Sequence, residues 1–421
     1  MGRLFYNIFI FLYPIAIRIV SLWSPKAKLW INGRKNIFAE LHSKLKTEDS
    51  EPVWMHCASL GEFEQGRPLL EELRARNEKI RIVLSFFSPS GYEVMKDYKG
   101  ADHIFYLPMD SPSNARKFID AIDPSLVLWV KYEYWFYYLD ELKRRNIPVI
   151  LVSGIFRKGQ PFFSWYGGVW RKMLNCFTLF FVQNELSKEL LESIHVNKPI
   201  MINGDTRFDR VIEIADKHEP VPFIDSFCSA GKVIVAGSTW DEDEVELLHY
   251  IKMHPEIKFI IAPHETDAEN LADVKKIFPD SIFYSELEQT TKHKPQTSYV
   301  LIIDNVGMLS RLYRYADIAY VGGGFGGDGV HNVLEAAVYG KPVLFGPVYE
   351  KYDEALGLVE SGGGIPVGGP LKLEAELNSL MTNEAECKRR GAAARDFVYS
   401  RAGATKKIMD LIYENRLLTN K

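Results

Sequence analysis

From about residue 52 onward, short apolar runs alternate with turn signals and helical stretches, and that alternation restricts the chain to α/β folds. The apolar runs are Val53-Trp-Met-His-Cys-Ala, Ile80-Arg-Ile-Val-Leu-Ser, Leu126-Val-Leu-Trp-Val, Val149-Ile-Leu-Val and Leu179-Phe-Phe-Val. Between them the pattern predicts a helix over Glu62–Arg76, with Leu69, Leu70 and Leu73 on one face. Pro68 is expected to kink or restart it. A second helix opens at Ser88-Pro-Ser, and a third spans Leu139–Arg145. The proline-containing stretch Lys217–Lys232 breaks the rhythm and reads as a linker. The rhythm restarts at Val233, Phe259, Tyr299, Ile318 and Pro342. Parallel strands with crossover helices on both sides of a linker predict two doubly wound, Rossmann-like domains with a cleft between them. Ligands of such sheets bind beyond the strand C-termini.

The expected division is a membrane-associating helix at 1–25, a first Rossmann-like domain at 26–215 and a linker at 216–230. A second Rossmann-like domain follows at 231–403, and a last helix in 404–421 (Ala404 to about Arg416) can cross back to the first domain. A length of 421 residues suits two or three domains. A formal net charge of −4 with a pI near 6.2 excludes a general nucleic-acid binder. The four cysteines, Cys57, Cys176, Cys228 and Cys387, are scattered without metal spacing and read as reduced thiols in a cytosolic setting.

The run Leu4–Trp23 is almost wholly apolar and about twenty residues long, enough to span a bilayer. Pro14 and Arg18 interrupt it, no small-residue cleavage site follows, and Lys26, Lys28, Arg34 and Lys35 flank it. The reading is a helix that lies in or dips into the inner face of a membrane; a buried core helix is the alternative. The mixed cationic and aromatic stretch Phe156–Lys172 suits a membrane interface or an anionic head group, or a helix packed on its own domain.

Six glycines fall within the eight residues 322–329, between the apolar run Ala319-Tyr-Val and a helix expected to begin near His331 with Glu335 in its first turn. Glycines let backbone approach a ligand, and a helix start offers unpaired N–H groups to an anion. A carboxylate one turn in can accept from ribose hydroxyls, so a phosphorylated nucleoside is the expected ligand. A turn that only lets strand pack on helix is the alternative. Other strand ends of the second half carry Gly237-Ser238-Thr239, Pro263-His264-Glu265 and Asp304 through Met308. Ser238 and Thr239 can bind a phosphate, or cap the acidic helix start that follows. Val306-Gly307-Met308 can meet a base edge through backbone. His264 alone is more often structural than a ligand. In the first half, Glu62 falls on a tight turn at a helix start and Glu133 at a strand C-terminus, both on the cleft edge. Arg207 offers a cation to an anion, or pairs with Asp205 or Asp209. The chain lacks GxxxxGK[ST], HExxH and GxSxG, and no aspartate cluster suggests a metal cradle.

Together these residues resemble the 3-deoxy-D-manno-octulosonic acid (Kdo) transferases of Gram-negative bacteria. The resemblance rests on Trp54–Glu62, Glu133-Tyr-Trp135, Gly204–Asp209, Ala236-Gly-Ser238, the His331-Asn332…Glu335 loop and Gly340–Pro347, in that order over about residues 28–365. It implies a GT-B fold and inverting transfer of Kdo from CMP-Kdo to the lipid A precursor lipid IVA in lipopolysaccharide inner-core synthesis. The site would be the cytoplasmic face of the bacterial inner membrane. Glu62 would be the general base. Glu133, Lys131 and Arg207 would stabilise the transition state, and CMP would be held by Ser238, His264, Glu265, Val306, Gly307, Met308, Asn332, Val333, Leu334 and Glu335. No metal or other cofactor is implied. This chain departs from the pattern at Lys131, where the family often has glutamate, and at Arg207, where many members have lysine. It departs also at Ala262-Pro-His-Glu265, where many have Ala-Pro-Arg-His. Another GT-B sugar-nucleotide enzyme (a UDP-hexosamine transferase or epimerase) is the nearest alternative, and a non-catalytic, membrane-associated nucleotide-binding protein is the other.

Overall fold

A computed structural model describes residues 2–45, 51–229, 231–291, 298–327, 329–415 and 417–418. Met1, Ala230 of the expected linker, Asp328 of the glycine loop, and Arg416 and 419–421 of the last segment lie outside them. The chain divides into two compact units, residues 1–210 with 403–421, and residues 211–402.

The first unit is built on a parallel seven-stranded sheet: β1 Val53–Cys57, β2 Ile82–Phe86, β3 His103–Tyr106, β4 Leu126–Val130, β5 Val149–Gly154, β6 Leu179–Val182 and β7 Ile200–Ile202. Their order is β3-β2-β1-β4-β5-β6-β7, so the strand order reverses between β1 and β4. All five residues of β1, β2 and β4 are buried, as expected of strands covered by helices on both faces. Alternate residues feed two cores: Trp54 and Trp129 face one, Met55 and Leu128 the other.

The second unit repeats the plan with β8 Val233–Thr239, β9 Lys258–Pro263, β10 Ile282–Phe283, β11 Val300–Ile302, β12 Ile318–Val321, β13 Val343–Phe345 and β14 Gly364–Pro366. The order is β10-β11-β9-β8-β12-β13-β14, all parallel, with the reversal between β8 and β12. The expected α/β class with two doubly wound sheets is what the chain forms.

Several expectations need correction. The first long helix runs Leu60–Arg76 without restarting at Pro68. The missing N–H costs one helical bond, and burial of Phe63, Leu69, Leu70 and Leu73 against the sheet outweighs it. The Leu139–Arg145 helix begins earlier, at Phe136. The stretch read as a linker is part of the second unit: Val221, Ile224 and Phe227 are buried there, and a short helix spans Ile224–Cys228. Its prolines interrupt the strand-helix rhythm without making the segment free. The helix expected near His331 is a single turn, Leu334–Ala337.

The N-terminal helix Gly2–Val20 continues through Pro14. It is long and apolar enough to cross a membrane, and Tyr6 is its single buried residue. Leu4, Phe5, Ile8, Phe9, Phe11 and Leu12 are exposed, so it is not a core helix. Its first turns are nonetheless fastened to the first unit. The Tyr6 hydroxyl donates to Asp110 Oδ2 at 2.5 Å and accepts from the Phe136 backbone N–H at 3.0 Å, and the Tyr137 hydroxyl donates to Asn7 Oδ1 at 2.6 Å. The last helix, Ala404–Glu414, also belongs to the first unit. Asp209 accepts from the Gly403 and Thr405 N–H groups at its start, and Ile408, Met409 and Ile412 are buried in the core shared with Leu69 and Leu73.

Candidate active site

Glu62, Lys131 and Glu133 follow β1 and β4, and Ser238 and the glycine loop follow β8 and β12, the strand pairs at which each order reverses and doubly wound sheets open a crevice; Arg207, His264 with Glu265, and Val306–Met308 follow β7, β9 and β11.

In the first unit β1 and β4 flank that point. The chain leaves β1 through Ala58 and enters the Leu60–Arg76 helix, whose N-cap is Ser59. Glu62 lies in the first helical turn, half-buried, and accepts a hydrogen bond from the Ser59 hydroxyl.

Beyond β4, Lys131 is buried with a left-handed backbone (φ 53°), and Glu133 follows two residues on. A non-glycine residue in that conformation is strained, and here the strain turns the chain out of the sheet at the reversal point. The Glu133 carboxylate is held at Oε2 by His56 Nε2 (3.1 Å) and Trp135 Nε1 (3.0 Å), and its carbonyl accepts from Trp129 Nε1 at 2.6 Å. His56 is fully buried on β1, and its Nδ1 lies 2.9 Å from Ser85 Oγ. Trp54 Nε1 donates to that same Ser85 oxygen at 2.8 Å. An indole N–H can only donate, so the Ser85 hydroxyl proton is available to His56 Nδ1.

A second polar group surrounds Asp205, also buried. Arg207 contacts Asp205 Oδ2 through Nε (2.9 Å) and Nη2 (2.8 Å), and Gln183 donates to it at 2.9 Å. Burial pushes the Asp205 carboxyl up, but Arg207 and Lys131 outweigh burial and hold it below the usual carboxylate range. With its amide turned to satisfy both cations, Gln65 accepts from Lys131 Nζ (2.7 Å) and Arg207 Nε (3.0 Å). Of the two acids offered to Arg207 by the sequence, Asp205 is the partner; Asp209 caps the last helix instead.

In the second unit the reversal lies between β8 and β12. β8 shifts register against β9 between Gly237 and Thr239, and Ser238 at that irregularity has φ 53°. Such a shift turns a side chain out of the ladder at the strand end. The glycine loop after β12 is fastened by backbone bonds from His331 N to Gly322 O, Val348 N to Gly324 O and Val330 N to Val348 O. Gly324 approaches Gly346 so closely that a Cβ would lie 2.6 Å from the Gly346 nitrogen. Asp243, fully buried, pins the loop from beneath by accepting from Gly323 N (2.8 Å), Trp240 N (3.0 Å) and the Tyr320 hydroxyl (2.6 Å). Beside it Glu244 accepts from the Thr239 hydroxyl at 2.9 Å, and burial pushes its carboxyl up to about 7. Thr239 is thus engaged in its own unit's interior.

The expected helix-start anion site is weaker than the sequence suggested, because a four-residue turn has little macrodipole. Asn332 Oδ1 accepts from Leu334 N at 3.3 Å and its amide donates to Glu335 Oε1 at 3.0 Å, while Val333 and Leu334 are buried. A cation is present that sequence reasoning missed: Lys351 Nζ donates to the Gly327 carbonyl at 3.0 Å. Also missed was a stack of three rings. Trp240 lies over His264 (4.7 Å between centroids), His264 over His331 (4.3 Å), and Trp240 Nε1 donates to His331 Nε2 at 2.8 Å. Burial holds His264 below the usual imidazole range, opposed by Glu265. Glu265 and Val306 with Gly307 are exposed, and Met308 is buried.

Two doubly wound parallel-sheet α/β units follow the two-domain plan of the GT-B fold. A putative UDP-N-acetylglucosamine 2-epimerase from Listeria monocytogenes has a similar fold, with a TM-score of 0.62 and 15% identity over 88% of this chain and 98% of that one. At that identity the likeness concerns fold alone. Residues 33–210 match the profile of the 3-deoxy-D-manno-octulosonic-acid transferase (kdotransferase) family. A 3-deoxy-D-manno-octulosonic acid transferase of Haemophilus influenzae is 25% identical over 98% of both chains. A bifunctional glycosyltransferase/methyltransferase of Fusobacterium nucleatum is 30% identical over 78% of this chain; the chain spans about half of that relative, 52%. The chain is thus similar to Kdo transferases over most of its length, with their family profile on residues 33–210.

Proposed function

We propose that the protein transfers Kdo from CMP-Kdo to a lipid A precursor at the cytoplasmic face of a bacterial inner membrane, with inversion and without a metal. The observation that carries this reading is the position of Glu62, at the β1 end of the reversal point, inside the stretch that matches the family profile. Glu62 takes the proton from the acceptor sugar hydroxyl. That oxygen bonds to the anomeric carbon of Kdo as the bond from that carbon to the CMP phosphate oxygen breaks, and CMP departs. Glu133, Lys131 and Arg207 line the same strand edge and stabilise charge as it moves. Ser238, His264 with Glu265, the 306–308 turn and the loop from Gly322 to Glu335 hold the CMP. Lys351 supplies the cation that Ala262-Pro-His-Glu265 lacks at the phosphate.

Membrane association is supported by the exposed apolar face of the Gly2–Val20 helix, and its fastening through Tyr6 and Asn7 supports a helix lying along the first unit in the interface. Donor competition tests the reading: purified protein with lipid IVA is offered CMP-Kdo, UDP-N-acetylglucosamine and CMP-N-acetylneuraminate separately. Product from CMP-Kdo alone supports it. Product from the UDP-sugar moves the protein to the hexosamine class.

A further inference from the structure

A cavity of about 480 Å³ opens in the first unit beside the N-terminal helix, within the size range of small-molecule sites. Phe5 and Phe9 of that helix form one wall, Tyr134 and Trp135 after β4 another, and Trp170 a third; among the described residues Glu133 is the one charged lining group. Phe5 and Phe9 are at the same time 65% and 49% exposed, on the face that also carries Leu4, Ile8 and Leu12. The outer apolar face and the cavity wall are therefore one continuous surface.

We propose that this cavity seats one acyl chain of the acceptor lipid. The inference rests on the acceptor reading given above and deepens it. Commitment to the acceptor, over a bulk membrane lipid, comes from Glu133. Its carboxylate lines the cavity and is bonded to His56 at the β1–β4 reversal point, next to the strand that leads to Glu62. A chain held here places its own sugar head group at that strand edge. Tyr6 keeps the wall in register, because its hydroxyl ties the helix to Asp110 and to the N-terminus of the Phe136–Arg144 helix, directly after Trp135. The N-terminal helix then serves as part of the acceptor site as well as a membrane anchor.

The test is photocrosslinking of the full-length protein in phospholipid vesicles, with a lipid IVA analogue carrying a diazirine at mid-chain and a phosphatidylethanolamine carrying the same group. Adducts are mapped by peptide mass spectrometry. The expected result is labelling at Phe5, Phe9, Tyr134, Trp135 or Trp170 by the lipid IVA probe, reduced at least fivefold by unlabelled lipid IVA and not by unlabelled phosphatidylethanolamine. Labelling confined to Phe11, Leu12, Ile15 and the residues beyond overturns the proposal. So does equal labelling of the cavity by both probes, which assigns it to bulk lipid. Kdo transfer is measured separately on the same samples. Cavity labelling without transfer contradicts the proposed reaction and leaves the chain site standing; transfer without cavity labelling does the reverse.

Discussion

Removing one oxygen from Tyr6 should loosen the N-terminal helix and the active-site edge together. In Tyr6→Phe the ring stays against Phe136 and Tyr137, so packing is nearly unchanged. Two bonds disappear. Asp110, buried and otherwise held by the Tyr137 and Tyr138 N–H groups, loses a charge-assisted donor at 2.5 Å. The Phe136 N–H loses its acceptor at 3.0 Å at a buried helix start. A hydrogen bond to a charged group contributes roughly 1.5–3 kcal/mol, and an orphaned buried donor costs about 1–3 kcal/mol. The sum is about 3 kcal/mol if some water reaches the site. At about 2–4 °C per kcal/mol for a domain of this size, the first unit's melting transition should fall by about 6–12 °C. Calorimetry of the full chain gives that shift, and amide exchange should rise over residues 2–20 and 136–139 while the second unit keeps its protection. A fall of less than about 2 °C, or exchange raised equally in both units, would refute the reasoning.

Further outcomes follow from other contacts. Burial raises the Asp110 carboxyl from 3.8 to about 6, so the folded chain keeps that proton to a higher pH than the unfolded one. Its stabilising effect is complete below about pH 4 and is lost as pH climbs through 6, an effect of about 3 kcal/mol that denaturant titrations should show flattened in Asp110→Asn. His56→Ala removes one of the two side-chain donors to Glu133 and should lower kcat by about 10–100-fold with KM changed less than threefold. His56→Asn should recover part of that loss, and unchanged kcat in the alanine variant would remove His56 from the site. Gly324→Ala drives a methyl into the Gly346 backbone and should weaken CMP binding at least tenfold by calorimetric titration, with the far-ultraviolet spectrum preserved.

What the sequence discloses here follows from local physics. Strand and helix alternation is a local pattern, so both sheets were legible from runs such as Leu126–Val130 and Phe259–Pro263. Glu62 was legible because a serine-glycine turn after an apolar run marks a helix start. His56 was not singled out as a functional side chain, because every residue of β1 is buried and nothing in its spacing separates a hydrogen-bonded histidine from a core one. Its partners Ser85 and Glu133 lie 29 and 77 residues away, a pairing created by the strand order β2-β1-β4. Trp240, His264 and His331 stack for the same reason, from the ends of β8 and β9 and from the loop after β12. Lys351 carries no motif; only folding of the chain after β13 brings it to Gly327. The linker reading failed because proline frequency is a local signal, whereas the burial of Ile224 and Phe227 is tertiary.

The most direct test of the central claim is CMP release from CMP-Kdo by purified protein, with and without lipid IVA, for wild type and Glu62→Gln. The account predicts acceptor-dependent release by the wild type and a loss of about 10²–10⁴-fold in the variant, the usual contribution of a general base. Acceptor-dependent release that survives the substitution would contradict the role of Glu62. Absence of release from folded wild-type protein would contradict Kdo transfer itself.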